Sequence, residues 1–238
     1  VYINKEQHNA ETYTILRGVM ISMEQILAEK APHDVVFIDG SLATPLIYLH
    51  QAIALLGSQN RNFEVSKKLI KILPEALGAY SRIVTNTRSD KLWIAMPKYT
   101  THREIGKLVE WDQSYDDRAL LTLLLEAGEL TQPIDFEQPQ EPWHLSYPEC
   151  KNDIEEILKA LSQLKIMYYK PHDWTPALRI ELNSGAASNN YQIAMVLEAL
   201  KYQCSTPGIF EPYPLFIADR MVKSLGTGLP AFRQVVTR

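Results

Sequence analysis

The stretch DVVFIDGSLATPL, Asp34 to Leu46, decides how the rest of the chain is read. Its apolar run, Val35 to Ile38, is β-branched and aromatic, which predicts a buried strand. The run stops abruptly at Asp39-Gly40-Ser41. An Asp in that place can open a turn, and that is the commoner use. It can also be held at the carboxyl edge of an open α/β sheet, where such sheets bind their ligands. Just beyond, Thr44 is placed to cap a helix and Pro45 to begin it, so Pro45 to Leu56 predicts a helix.

Upstream, Glu11 to Lys30 has helical periodicity. Leu16, Val19, Met20, Met23, Ile26 and Leu27 share a face, and Ala31-Pro32-His33 ends the helix. Downstream, Asn62 to Ala76 predicts another helix, and KLWIAMPKY, Lys91 to Tyr99, a second apolar strand. RALLTLLLEAGEL is a short apolar helix. Residues 131–150 carry four prolines among polar groups, the composition of a surface loop or insertion and the expected place for disorder. DIEEILKALSQL is an amphipathic helix. KIMYYK and ALRIELN, joined by the turn-rich PHDWTP, predict a hairpin. NNYQIAMVLEALKYQ follows as a helix capped by Ser188 or Asn189. A last helix, opened by Tyr213-Pro214, is expected to give way to a Gly-rich turn. This order predicts one α/β domain over residues 1–238, a mixed sheet flanked by helices.

A chain of 238 residues with an apolar fraction of 46% is long and apolar enough to bury a real core. No apolar run reaches the length of a membrane span. The two cysteines, Cys150 and Cys204, stand far apart and outside any metal-ligand spacing, so a reducing cytoplasm is the expected setting, with a single disulfide left open. A net charge of −4 argues against a general nucleic-acid coat, but leaves room for a basic groove beside an acidic metal site. There is no phosphate-binding Gly-x-x-x-x-Gly-Lys loop and no Gly-x-Ser-x-Gly elbow. Phe37 stands where a haloacid-type phosphatase would need an Asp. The six histidines show no paired metal spacing and read as surface or loop residues.

Three acids remain. Glu24 falls at the edge of the first helix's apolar stripe, next to Met23, where a carboxylate can either snorkel into water or lean over the sheet. Asp39 ends the first strand. Asp219 sits in PLFIADRMV, where it either pairs with Arg220 or Lys223 or faces a site. Hard divalent cations such as Mn²⁺ and Mg²⁺ take oxygen ligands and keep waters, so a few acids from separate segments suffice. Two such ions can activate a water and stabilise the leaving oxygen of a phosphodiester. Periodicity allows these acids to meet and does not require it.

FIDGSL after a Glu-bearing helix, a strand ending in Lys, and a C-terminal YPLFIAD together resemble the NurA nuclease family. The resemblance spans nearly the whole chain in short islands. It implies a ribonuclease-H-like fold and a Mn²⁺- or Mg²⁺-dependent nuclease acting on single- or double-stranded DNA ends. It further implies a homodimer working with a HerA-type hexameric ATPase in double-strand-break end resection. On this reading Glu24, Asp39 and Asp219 hold metal, Lys98 faces phosphate, and Tyr99 is an aromatic active-site candidate. The LRIEL strand, with Arg179 and Glu181, fits the family's late strand. The family also has an Asp on a strand upstream of the Glu-bearing helix. That position has no counterpart here, and the chain begins at Val1. The expectation is therefore an N-terminally incomplete chain. The alternative is an inactive relative that binds DNA ends or docks on the ATPase.

Overall fold

The computed structural model describes residues 5–56, 64–98, 102–111, 114–139 and 143–236, with side chains described over 10–224 of these. Tyr99 lies outside them, as do residues 62–63 of the third expected helix and 140–142 of the expected loop.

Helix α1 (Lys5–Lys30) leads into strand β1 (Val35–Asp39), helix α2 (Thr44–Leu56) and helix α3 (Glu64–Val84). Strand β2 (Leu92–Met96) is followed by two short helices, α4 (Glu104–Leu108) and α5 (Asp117–Leu124), and by strand β3 (Ile134–Asp135). Helix α6 (Lys151–Leu161), strands β4 (Lys165–Tyr169) and β5 (Leu178–Leu182), and helices α7 (Ser184–Ala187), α8 (Asn190–Gln203) and α9 (Tyr213–Val236) complete the order. The five strands lie in the order β1-β2-β5-β4-β3. β1 and β2 are parallel, and the remaining pairs are antiparallel, so the sheet is mixed as the sequence predicts. The β4–β5 hairpin and the Asn189 cap of α8 are both present, the Asn189 side chain accepting from the Tyr191 and Gln192 amides.

Strand alternation divides the core between the two faces of the sheet. Trp93 and Ala95 of β2 and Ile166 and Tyr168 of β4 pack with Leu69, Leu73 and Leu77 of α3. Leu92, Ile94 and Met96, with Met167, Leu178, Ile180 and Leu182, pack on the other face with Val196 and Leu200 of α8. On β5 the same alternation sends Arg179 and Glu181 to the α3 side, both buried.

Five sequence expectations change. The helix expected over RALLTLLLEAGEL ends at Leu124, and Leu130 bridges to Tyr169 of β4 instead. The stripe on α1 is buried only in part: Val19 faces inward with Ile15, Gly18, Ser22 and Gln25, and Ile26 is half-buried, while Leu16, Met20, Met23 and Leu27 are 44–67% exposed. Close approach explains the choice. A Cβ at Gly18 would meet Ala52 Cβ at 2.6 Å, so α1 lies against α2 through its small residues. Helix α3 runs on to Val84 because Leu77, Tyr80, Ile83 and Val84 continue its buried stripe past the exposed Pro74. The proline-rich segment 131–150 contributes β3, which pairs with β4 at the sheet's edge, and a 3-10 turn at Pro148–Cys150. The last helix continues through Gly226 and Gly228 to Val236 instead of turning; glycine weakens a helix by roughly 1 kcal/mol but does not forbid one. Both cysteines are free and buried. Among the described residues no helix is long and apolar enough to cross a membrane.

Candidate functional site

Asp39 is the last residue of β1, opposite Met96 in the parallel register. Its side chain is half exposed at the carboxyl end of the strand. Gly40 follows with φ +123°, a backbone conformation that L side chains rarely adopt, and lets the chain turn away beside the carboxylate. The turn is tied down from behind. Glu181 Oε2 accepts from Ser41 Oγ at 2.6 Å and from the Leu42 amide at 3.0 Å. The Tyr80 hydroxyl donates to the Leu42 carbonyl. Position and support therefore come from β1, β5 and α3 together.

Lys98, just past β2, reaches into the same place. Its Nζ donates to Asp39 Oδ2 at 2.9 Å and pairs with Glu211 Oε2 at 2.7 Å. Arg118 of α5 holds the Lys98 carbonyl, which fixes the backbone from which the side chain projects. Burial disfavours the charge on Lys98, but the Glu211 and Asp39 carboxylates outweigh it and raise its pKa above the ordinary lysine value. Asp39, Ser41, Thr44, Lys98, His102 and Glu181 line one open cleft.

Glu24 belongs to this neighbourhood. Although the residue is exposed on one side, protein around its carboxyl group, and then the nearby Asp39 charge, push its pKa above the usual carboxylate range. Asp219 stands further out. It accepts from Lys223 at 2.6 Å, one turn along α9, and that bond holds its pKa below the usual carboxylate value, with Lys98 adding a smaller pull. The sequence alternative for Asp219, pairing with Lys223, is thus realised, while Lys98 remains within electrostatic reach. Glu211 reaches this neighbourhood through its ion pair with Lys98, without having been singled out by the sequence. It falls in an irregular segment ahead of Pro212, and no periodicity marks it.

A second group of polar residues lies behind the cleft. Arg179, fully buried, donates from its two terminal nitrogens to Glu104 at 3.0 and 3.1 Å, to the Tyr168 hydroxyl at 3.0 Å, and from Nε to Glu181 Oε1 at 3.1 Å. Desolvation would raise the Glu104 pKa, but the Arg179 bonds overcome it and hold the group below its usual value. Asp117, also buried, accepts from the Ile105 and Gly106 amides, yet burial keeps its pKa raised. Glu181 belongs to both groups: one oxygen holds the Asp39 turn and the other holds Arg179.

Among the described residues, one group of three potential ligands has all its ligand atoms within 4.8 Å of one another: His102, Glu104 and Glu137. His102 had read as a plain loop residue. The trio's two carboxylates already have partners within the protein: both Glu104 oxygens accept from Arg179, and Glu137 pairs with Lys107. The cleft at Asp39 suits a hard cation better. It offers carboxylate and hydroxyl oxygens from Asp39, Glu181, Ser41 and Thr44, and Mg²⁺ or Mn²⁺ needs only one or two carboxylates when waters and a substrate phosphate complete the shell. Asp39, with Glu24 and Glu211 beside it, meets that requirement.

A family model, the NurA domain, matches residues 14–224. No curated protein sequence matches the chain. Among solved structures, the NurA nuclease from Sulfolobus solfataricus superposes with a TM-score of 0.50 over 90% of this chain and 67% of that one, at 16% identity. At that identity the superposition speaks for the α/β fold, and the family model speaks for descent across nearly the whole chain, including β1, the Asp39 turn, Lys98 and α9 through Asp219. The chain belongs to the NurA family.

Proposed function

We propose that the protein is a divalent-metal-dependent DNA nuclease that hydrolyses phosphodiester bonds at DNA ends. Its role on this reading is double-strand-break end resection, beside a HerA-type hexameric ATPase. The observation that carries the reading is Asp39, held at the carboxyl end of a sheet strand by a positive-φ glycine, facing an open cleft with a lysine and further carboxylates around it. A bound Mn²⁺ or Mg²⁺ would supply positive charge to the attacked phosphate and acidify a water. Asp39 and Glu24 would hold the ion, with Asp219 nearby on α9. Lys98 would offset phosphate charge, and Glu181 would keep the Asp39 turn in register. Family membership and the mixed α/β sheet support this reading, and the ribonuclease-H-like comparison belongs with it.

The proposed homodimer has support in α1. Tyr13, Leu16, Met20, Met23 and Leu27 are exposed and alternate at spacings of three and four, the seam that a second helix would fill. Replacing Met20 and Met23 by Gln should shift the sedimenting species towards the monomer.

The deciding experiment is cleavage of linear and single-stranded DNA by the full chain with Mn²⁺, Mg²⁺ or EDTA, comparing wild type with D39A and D219A. Metal-dependent cleavage that D39A abolishes supports the assignment. D39A cleaving at the wild-type rate overturns it. The second reading, a DNA-end-binding or ATPase-docking subunit without chemistry, is favoured by one observation: Lys98 already satisfies Asp39. It requires metal-independent DNA or ATPase binding with no cleavage under any of these conditions.

A further inference from the structure

Lys98 Nζ lies between two carboxylates from distant parts of the chain, 2.9 Å from Asp39 Oδ2 and 2.7 Å from Glu211 Oε2. The contact with Glu211 is an ion pair and not a directed hydrogen bond. Glu211 Oε2 is buried and accepts no hydrogen bond of good geometry among the described residues. Glu211 itself is held by the turn that opens α9, where the Leu215 and Phe216 amides donate to the Pro212 carbonyl and Leu215 is buried in the core. The Lys98 side chain is 26% exposed and that of Asp39 is 52% exposed, so the pair is not closed off from solvent.

We propose that Lys98 is a built-in counter-cation that must leave the gap between Asp39 and Glu211 before a divalent ion can enter. Glu211 is then a further oxygen ligand of the site. The physical reason is direct. An ammonium and a metal ion compete for the same carboxylate lone pairs, and two cations in contact repel strongly in a partly desolvated cleft. Lysine suits this role because its charge is compact and sits on a flexible stem, unlike the fixed fork of arginine. Once displaced, Lys98 would carry its charge to a phosphate at the mouth of the cleft. The same residue would thus serve the empty and the loaded site, and metal affinity would rise when DNA is present. This inference rests on the metal-dependent reading above.

The test is Mn²⁺ binding by the full chain without DNA, read as loss of the free aqueous Mn²⁺ electron paramagnetic resonance signal. Wild type, K98M, K98Q, E211Q and K98M/E211Q are compared, with thermal melts to establish that each is folded. K98M and K98Q should both bind Mn²⁺ at least about tenfold more tightly than wild type, and E211Q in the K98M background should remove most of that gain. Equal or weaker binding by both lysine variants overturns the displacement. A gain that persists in the double variant overturns Glu211 as a ligand. If wild type cleaves DNA only with Mn²⁺ and the lysine variants still bind no tighter, this inference fails and the nuclease reading stands. If no variant binds Mn²⁺ and cleavage proceeds in EDTA, both fail.

Discussion

Two cations in this molecule are each gripped by two carboxylates, and the two sites behave as opposites. At the cleft, Lys98 sits between Asp39 and Glu211; behind it, Arg179 sits between Glu104 and Glu181. The Arg179 side chain is 0% exposed, and its planar fork meets Glu104 through two bonds, while Lys98 is a single point charge on a side chain that is 26% exposed. Removing a partner from a buried pair leaves an uncompensated charge with no water to solvate it. Removing a partner from the outer pair leaves a charge that solvent or an incoming ion can take up. The inner group is therefore fixed architecture, and the outer group is exchangeable. Glu181 joins them, so the rigidity of one is passed to the carboxylate of the other.

The largest effect that can break this comparison is catalytic. Asp39→Asn should lower cleavage by about three orders of magnitude, since a metal's charge stabilisation contributes several kcal/mol, while the melting temperature stays near that of wild type. Loss of fold in this variant would mean that the outer site is architecture too. Next comes Arg179→Met, which strands Glu104 and Glu181 in the interior. It should cost about 3–5 kcal/mol in urea unfolding. A cost under about 1 kcal/mol would show that water reaches those acids and that the inner site is not closed.

Glu181→Gln should have an intermediate effect, about 1–3 kcal/mol, because it weakens charged bonds to Ser41, Leu42 and Arg179 at once. It also sharpens the comparison, since a positioning residue should slow turnover more than it weakens DNA binding. A loss confined to binding would place Glu181 outside the support of Asp39.

How much of this the sequence carried depends on how each feature is encoded. Asp39 was legible because a strand and a carboxylate meet an obligatory turn within six residues, and each has its own local signal. The hairpin, the capped α8 and the mixed sheet were legible for the same reason. The face of α1 was not. Its buried side is made of Ile15, Gly18, Val19, Ser22 and Gln25, and small or polar residues that permit close packing leave no hydrophobic signature. The apolar residues that do leave one, Leu16, Met20, Met23 and Leu27, point to solvent. The inner network was hidden differently. Glu104 and Arg179 are 75 residues apart and meet only because β5 lies beside β2 in the sheet. Glu211 carries no periodicity at all, and only the closing of α9 against the sheet brings it to Lys98.

The smallest effect concerns acid stability, and its sign separates two acids within the inner site. Glu104 has a lowered pKa in the folded protein, chiefly because Arg179 outweighs its burial. Its contribution is complete above the unfolded-state value and is lost as pH falls through the lowered one. Asp117 has a raised pKa, from burial first. Its charged form costs stability at neutral pH, and that cost is relieved as pH falls through the raised value. The two slopes oppose each other, each bounded by about 1.4 kcal/mol per pH unit for a single proton. Unfolding measured in urea from pH 6 down to pH 3 should therefore fall less steeply in Glu104→Gln and more steeply in Asp117→Asn than in wild type. Parallel slopes in all three proteins would mean that neither acid holds a different proton affinity after folding. The outer site would then be the place where protein and solvent exchange charge, and the inner one would be electrostatically silent.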